Sequence, residues 1–301
     1  MDASSLLLAA LAAALLATPA LFHAALRRSL TPRRRSDGGE PEGVALPAQA
    51  IALPGANGKR LFAWYIPAAA GGGAAPCAVL LHGWGGNAGD LLPLAVPLHA
   101  AGYSLLLLDA RNHGRSDADS FASMPRFAED LDCAIDWLRR QPACDPARLA
   151  VIGHSVGAAA ALLAASRRSD IAAVVSIAAF AHPASVMRRF LAARRIPFIP
   201  LGWYALRYVE RVIGHRFDAI APEHTIRRVS CPVLLVHGSE DRTVPPADAH
   251  HLAQCAGGRA QLLLLRGDHE AFADPAAGIA AVRTFLAATL PYTPLKHAST
   301  T

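Results

Sequence analysis

Apolar residues recur along the chain as short runs at 50–53, 61–66, 78–81, 104–108, 149–152, 173–177, 233–236 and 261–265, with Gly, Pro or Asp as the usual boundaries. Several runs are continuous rather than alternating, as expected of strands covered on both faces. Between them the spacing changes to the helical period, predicting helices over 89–101, 124–140, 156–167, 247–255 and 275–290. Strands alternating with helices predict an α/β domain, a mostly parallel sheet with helices on both sides. The first two runs meet through Asn57-Gly58 and predict an antiparallel hairpin at the sheet edge.

One stretch breaks the alternation. Between the runs at 173–177 and 233–236 the chain is too long for a crossover and rich in helical pattern. It predicts a helical cap at about 182–230, above the C-terminal ends of the strands, where open α/β sheets bind ligands. Within it, residues 188–216 interleave arginine pairs with Phe190, Phe198, Trp203, Tyr204 and Tyr208 around a single acid, Glu210. That pattern fits an amphipathic lid, and equally a face that lies on anionic lipid headgroups.

The N-terminus follows a different rule. Residues 6–26 are almost wholly Leu and Ala, broken by Thr18, Pro19, Phe22 and His23, and are followed by Arg27, Arg28, Arg33, Arg34 and Arg35. Twenty-one residues at about 1.5 Å each just cross a hydrocarbon core of about 30 Å. The expectation is a single membrane-anchor helix with its basic flank over 1–35, a Gly/Pro/acidic linker over 36–48, the α/β domain over 49–292 and a polar tail over 293–301. The arginines after the span put the domain on the cytoplasmic side by the positive-inside rule. Export after cleavage is the alternative, although Asp2 and the lack of early Lys or Arg speak against a signal peptide.

Charge and cysteines narrow the classes further. The net charge of +6 is carried almost entirely by arginine, with Lys59 and Lys296 the only lysines, and no nucleic-acid-binding signature accompanies it. Cys77, Cys133, Cys144, Cys231 and Cys255 form no CxxC or CxxH pair, which argues against structural zinc and a disulfide framework.

The strongest chemical signal is Gly153-His154-Ser155-Val156-Gly157, entered by an apolar strand and left by a small-residue helix. This context makes a five-residue pattern a nucleophile elbow, with Ser155 at the sharp turn. A serine hydroxyl needs a base to take its proton. His269 follows the last apolar run in a Gly-rich turn, whereas His250 and His251 fall on a helix, His154 lies in the elbow, and His182, His215 and His224 fall in the cap. Asp241, after the run at 233–236 and before Val244-Pro245, is the candidate orienting acid, with Glu240 and Asp268 as its rivals. Two backbone amides must hold an oxyanion, and the candidates are Val156 and, in the loop after the run at 78–81, Trp84, with Gly85 as alternate. Asp109, Arg111 and Arg115, after the run at 104–108, are assigned a structural role in holding loops around the elbow.

Together HGWGGN, DARNHGRSD, GHSVG, HGSEDRTVP and GDHE resemble the α/β-hydrolase superfamily, particularly its abhydrolase-domain and Ser-aminopeptidase-like branches, over about residues 50–290. The resemblance implies an eight-stranded sheet, a cofactor-free and metal-free Ser155-His269-Asp241 triad, and hydrolysis of an ester, thioester or amide. Ser155 argues against the branches that use an aspartate nucleophile. The expectation is a carboxylic-ester hydrolase acting on an acyl substrate and touching membrane lipid through its N-terminus and basic cap. Peptidase, thioesterase and acyltransferase chemistry are the alternatives, and a catalytically idle ligand-binding relative is the alternative from another class.

Overall fold

A computed structural model describes residues 20–35, 37–69 and 74–290. All eight apolar runs are strands: β1 (Gln49–Pro54), β2 (Arg60–Ile66), β3 (Ala75–Leu81), β4 (Ser104–Leu108), β5 (Cys144–His154), β6 (Ala173–Ile177), β7 (Val233–Gly238) and β8 (Ala260–Leu265). They form one sheet in the order β1-β2-β4-β3-β5-β6-β7-β8. The β1–β2 pair is antiparallel at one edge, β2 is antiparallel to β4, and every other pairing is parallel.

Continuous hydrophobicity has its predicted cause. Val79, Leu81, Leu106, Leu108, Val151 and Val174 point into one core, and Leu80, Leu105, Leu107, Ile152, Val175 and Val236 into another on the opposite face. Helices α3 (Met124–Leu138) and α4 (Val156–Ala165) cover the first core; α2 (Leu92–Ala100) and α10 (Pro275–Thr289) cover the second. All ten residues of α4 are buried, which explains a helix made only of Val, Gly, Ala and Leu.

The cap lies between β6 and β7 as α5 (Pro183–Ala193), α6 (Trp203–Ile213) and two one-turn helices, α7 (Phe217–Ile220) and α8 (Pro222–Thr225). Glu210, the single acid of residues 188–216, is buried, accepts the Phe217 amide at 2.9 Å and lies 2.7 Å from Arg207 Nη1, so it fixes the turn out of α6. After α8 the chain returns to β7, followed by α9 (Pro246–Cys255).

The N-terminal expectation is only partly within view, because residues 1–19 lie outside the described residues. Residues 20–29 form a helix, α1, docked on the cap: the His23 ring stacks on Tyr208 at 4.2 Å, and Arg27 Nε donates to the Tyr208 hydroxyl at 2.9 Å. Among the described residues no helix is long and apolar enough to cross a membrane. The stretch read as a linker is laid against the domain. The Asn87 amide donates to the Arg35 carbonyl at 3.4 Å, Gly39 abuts Gly89, and Pro41 and Leu46 are buried.

Candidate active site

The loops at the C-terminal ends of β3, β4, β5, β7 and β8 converge on one cleft. Ser155 stands between β5 and α4 with φ 53° and ψ −115°, a strained backbone for a residue with a Cβ. Close packing holds the strain: a Cβ on Gly153 would stand 2.3 Å from the Gly157 carbonyl oxygen, and one on Gly157 would stand 2.4 Å from the His82 carbonyl oxygen. Glycine at both positions lets α4 leave directly across β3 and β5.

His269, on the loop after β8, has its Nε2 2.9 Å from Ser155 Oγ and its Nδ1 2.7 Å from Asp241 Oδ2. The Nδ1–H donates to the carboxylate, so Nε2 presents its lone pair to the serine hydroxyl. Asp241 is buried, and its other oxygen accepts the Thr243 and Val244 amides at 2.8 Å each. The rival acids point elsewhere: Glu240 is exposed beside Arg266, and Asp268 accepts the Glu270 and Ala271 amides.

The loop after β3 lies against the elbow, since a Cβ on Gly83 would stand 3.3 Å from Ser155 Cβ. Trp84 follows on the cleft wall and is 43% exposed, so the indole is wall rather than core. Val156 is the first residue of α4, where a helix leaves its N–H groups without intrahelical acceptors.

Several histidines support this arrangement, and the sequence reading passed over two of them. His154 Nε2–H donates to the His269 carbonyl at 2.9 Å, tying the turn at Ser155 to the loop that carries His269, and burial lowers its pKa. His237 Nε2–H donates to the Val244 carbonyl at 2.8 Å and lies 3.3 Å from Asp241 Oδ2. His82 donates from Nδ1 to the Gly83 carbonyl and accepts the Ala110 amide at Nε2; burial holds it neutral, with its pKa down to about 4. The only signal for His82 and His237 was their place just before a glycine at a strand end.

Asp109 does what its position implied, accepting the Ala88 amide on one oxygen and the Arg115 amide on the other, both at 2.7 Å. It clamps the loop after β3 to the loop after β4. His113, packed on Phe127 and His82 in the same cluster, is held down to about pKa 3 by burial. Its pKa is lower folded than unfolded, so its contribution to stability is complete above about pH 6.5 and is lost as pH falls towards 3. In urea unfolding, His113→Phe is expected to lose about 2 kcal/mol less than the parent between pH 7 and pH 5. Equal losses in the two proteins would rule out His113 as a source of acid sensitivity.

The cleft encloses about 1480 Å³ and is lined mainly by apolar side chains. One side runs under the cap past Met187, Val209 and Phe217; the other runs between α2 and α10 past Leu94, Ile279 and Val282. The N-terminal segment forms part of the wall, with Leu30, Arg33, Arg34 and Arg35 all facing the cleft. No pattern in the sequence pointed to this, because those residues read as the flank of an anchor.

The comparisons with known proteins agree with this architecture. Residues 74–215 match the serine aminopeptidase family, S33. An uncharacterized protein of Mycobacterium tuberculosis is 33% identical over 200 residues, which span 66% of this chain and 64% of that relative. The Pyrococcus furiosus esterase superposes with a TM-score of 0.71 at 20% identity, over 86% of this chain and 99% of that one. A puromycin-hydrolyzing peptidase of Mycobacterium tuberculosis superposes with a TM-score of 0.65 at 22% identity, over 83% of this chain and 40% of that one. The chain has the α/β-hydrolase fold.

Proposed function

We propose that this protein is a serine hydrolase that cleaves a carboxylic ester of an acyl substrate through an acyl-enzyme. The observation that carries the reading is the continuous hydrogen-bonded line from Ser155 Oγ through His269 to buried Asp241, at the floor of a large apolar cleft. Ser155 Oγ attacks the acyl carbonyl as His269 Nε2 takes its proton, and Asp241 holds the imidazole and stabilises its cationic form. The amides of Val156 and Trp84 receive the oxyanion, with Gly85 as alternate to Trp84. His269 then returns the proton to the departing alkoxide, and water repeats the sequence to release the acid.

The apolar lining on both sides of Ser155 favours an acyl chain over a peptide. Amide hydrolysis is the second reading, favoured by the match to the serine aminopeptidase family. The cap also exposes Phe190, Ile199, Leu201 and Trp203, and α1, docked on the cap, exposes Leu21, which supports contact with a lipid surface.

The test is a p-nitrophenyl ester series from acetate to palmitate beside the matching anilides, with each long-chain substrate offered both as monomer and in anionic vesicles. The expected result is at least tenfold preference for medium or long esters over acetate, no comparable anilide cleavage, and stoichiometric labelling of Ser155 by a fluorophosphonate. Faster anilide than ester turnover would replace this reading with the peptidase one. Absence of both turnover and labelling in folded protein would leave only the idle-relative reading, and equal monomer and vesicle rates would remove the interfacial contact.

A further inference from the structure

The segment between α1 and β1 is held at several points as it crosses the cleft. Its Leu30 carbonyl accepts the Ala122 amide at 2.7 Å, its Arg35 carbonyl accepts from Asn87, and α1 behind it is held by Tyr204 and Tyr208. Three consecutive arginines therefore stand on the wall of a mainly apolar cavity. Their charges are not equally compensated. Arg35 is paired with Asp37 at 3.0 Å and Asp90 at 3.6 Å. The Arg34 guanidinium makes one long bond, 3.4 Å to the Gly114 carbonyl, and Arg33 has no carboxylate partner among the described residues. The carboxylates on the same wall are Asp90, taken up by Arg35 and the Asn87 amide, and Glu270, which acts on Arg35.

Two unneutralised guanidinium groups beside an apolar channel suit a ligand with one anionic group and a long apolar part, because the arginine fork matches carboxylate and phosphate oxygens. We propose that Arg33 and Arg34 bind the anionic group, carboxylate or phosphate, of the acyl substrate and so select charged acyl esters over neutral ones. This rests on the acyl-ester reading of Ser155. The segment 30–35 is then part of the binding site, and its docking through α1 sets where the charge is received.

The test uses the full chain and two substrates that differ by one phosphate, a monoacylglycerol and its 3-phosphate ester with the same acyl chain, both kept monomeric. The parent is expected to favour the phosphorylated ester in kcat/KM. Arg33→Gln and Arg34→Gln should each lower that value about 10- to 100-fold, the yield of a charge-assisted hydrogen bond, while the neutral ester is little changed. Arg28→Gln removes the same charge from outside the cleft wall and should leave the ratio intact. Inorganic phosphate alone should compete weakly with the phosphorylated ester in the parent and not in the double variant. Equal kcat/KM for the two esters, or equal loss on both in the variants, overturns the proposal. So does an arginine effect seen only in vesicles, which would assign these residues to the lipid surface. If neither ester is cleaved, the hydrolase reading fails separately; calorimetric binding of the phosphorylated ester to Ser155→Ala protein, with and without Arg33→Gln, then decides the arginines alone.

Discussion

Ser155→Ala is expected to lower kcat for the best ester by on the order of 10⁴-fold or more while leaving the unfolding transition in place. The variant deletes the atom proposed to form the covalent bond, and the local backbone does not depend on that hydroxyl: the 155 backbone is fixed by its amide to the Ile177 carbonyl at 2.8 Å and by the packing at Gly153 and Gly157. Asp241→Asn should reach a comparable loss by another route. The carboxamide can offer an N–H where His269 Nδ1–H needs an acceptor, which favours the tautomer whose Nε2 carries the proton and cannot take one from Ser155. Because the two residues act in one unit, the double variant should be little worse than either single one. Single-turnover kinetics on a p-nitrophenyl ester measure all three, and a residual rate within tenfold of the parent in Ser155→Ala would remove this serine from the chemistry.

What the sequence made legible follows from the range of the interactions involved. Strand and helix identity is set by local period, so the eight runs and the helices at 124–138, 156–165 and 246–255 could be read to within a few residues. Ser155, His269 and Asp241 could be picked out because each sits at a strand end beside turn residues, and chain order alone then brought them together. The roles of His154, His237 and His82 were harder to read, since each depends on one hydrogen bond to a carbonyl, and a carbonyl carries no sequence label. The N-terminal segment was legible only in part. Most of its Leu/Ala run lies outside the described residues, and the docking of the stretch that follows, with the His23 ring on Tyr208 and Arg27 on the Tyr208 hydroxyl, depends on tertiary contacts that hydropathy does not encode. Glu210 showed the opposite case: a lone acid in a basic stretch was legible as exceptional, and it is buried as the organiser of the α6 exit.

Arg111→Met is expected to destabilise the fold by about 3–5 kcal/mol, the largest stability effect of a single side chain outside the hydrophobic core. Arg111 is 1% exposed and meets three carboxylates: Asp130 at 2.6 Å, Glu129 at 2.6 Å and Asp119 at 3.4 Å. Asp130 is itself fully buried and also accepts the Arg111 amide at 2.8 Å, so it joins α3 to the loop that carries Asp109. Burial pushes the Asp130 carboxyl up to about 7 even against the pull of Arg111. A folded pKa above the unfolded one means that the folded state holds the proton more tightly, so stability falls as pH rises from about 4 through 7. Without Arg111 the ionised form loses its counter-charge, and the penalty of Arg111→Met should therefore be larger at pH 8 than at pH 6, where Asp130 is protonated in both proteins. Asp130→Leu alone takes from the guanidinium its one fully buried partner while Glu129 and Asp119 remain, and should cost less than Arg111→Met, whereas the double variant should cost clearly less than the sum, because a paired apolar replacement removes both fully buried charges together. Since the loop held by Asp130 also positions the Asp109 clamp on the loop after β3, Arg111→Met should raise KM and lower kcat together, by far less than Ser155→Ala. Urea unfolding of the four proteins at the two pH values measures the cycle. Additive losses, or a penalty that does not grow with pH, would mean that Arg111 contributes packing rather than charge compensation.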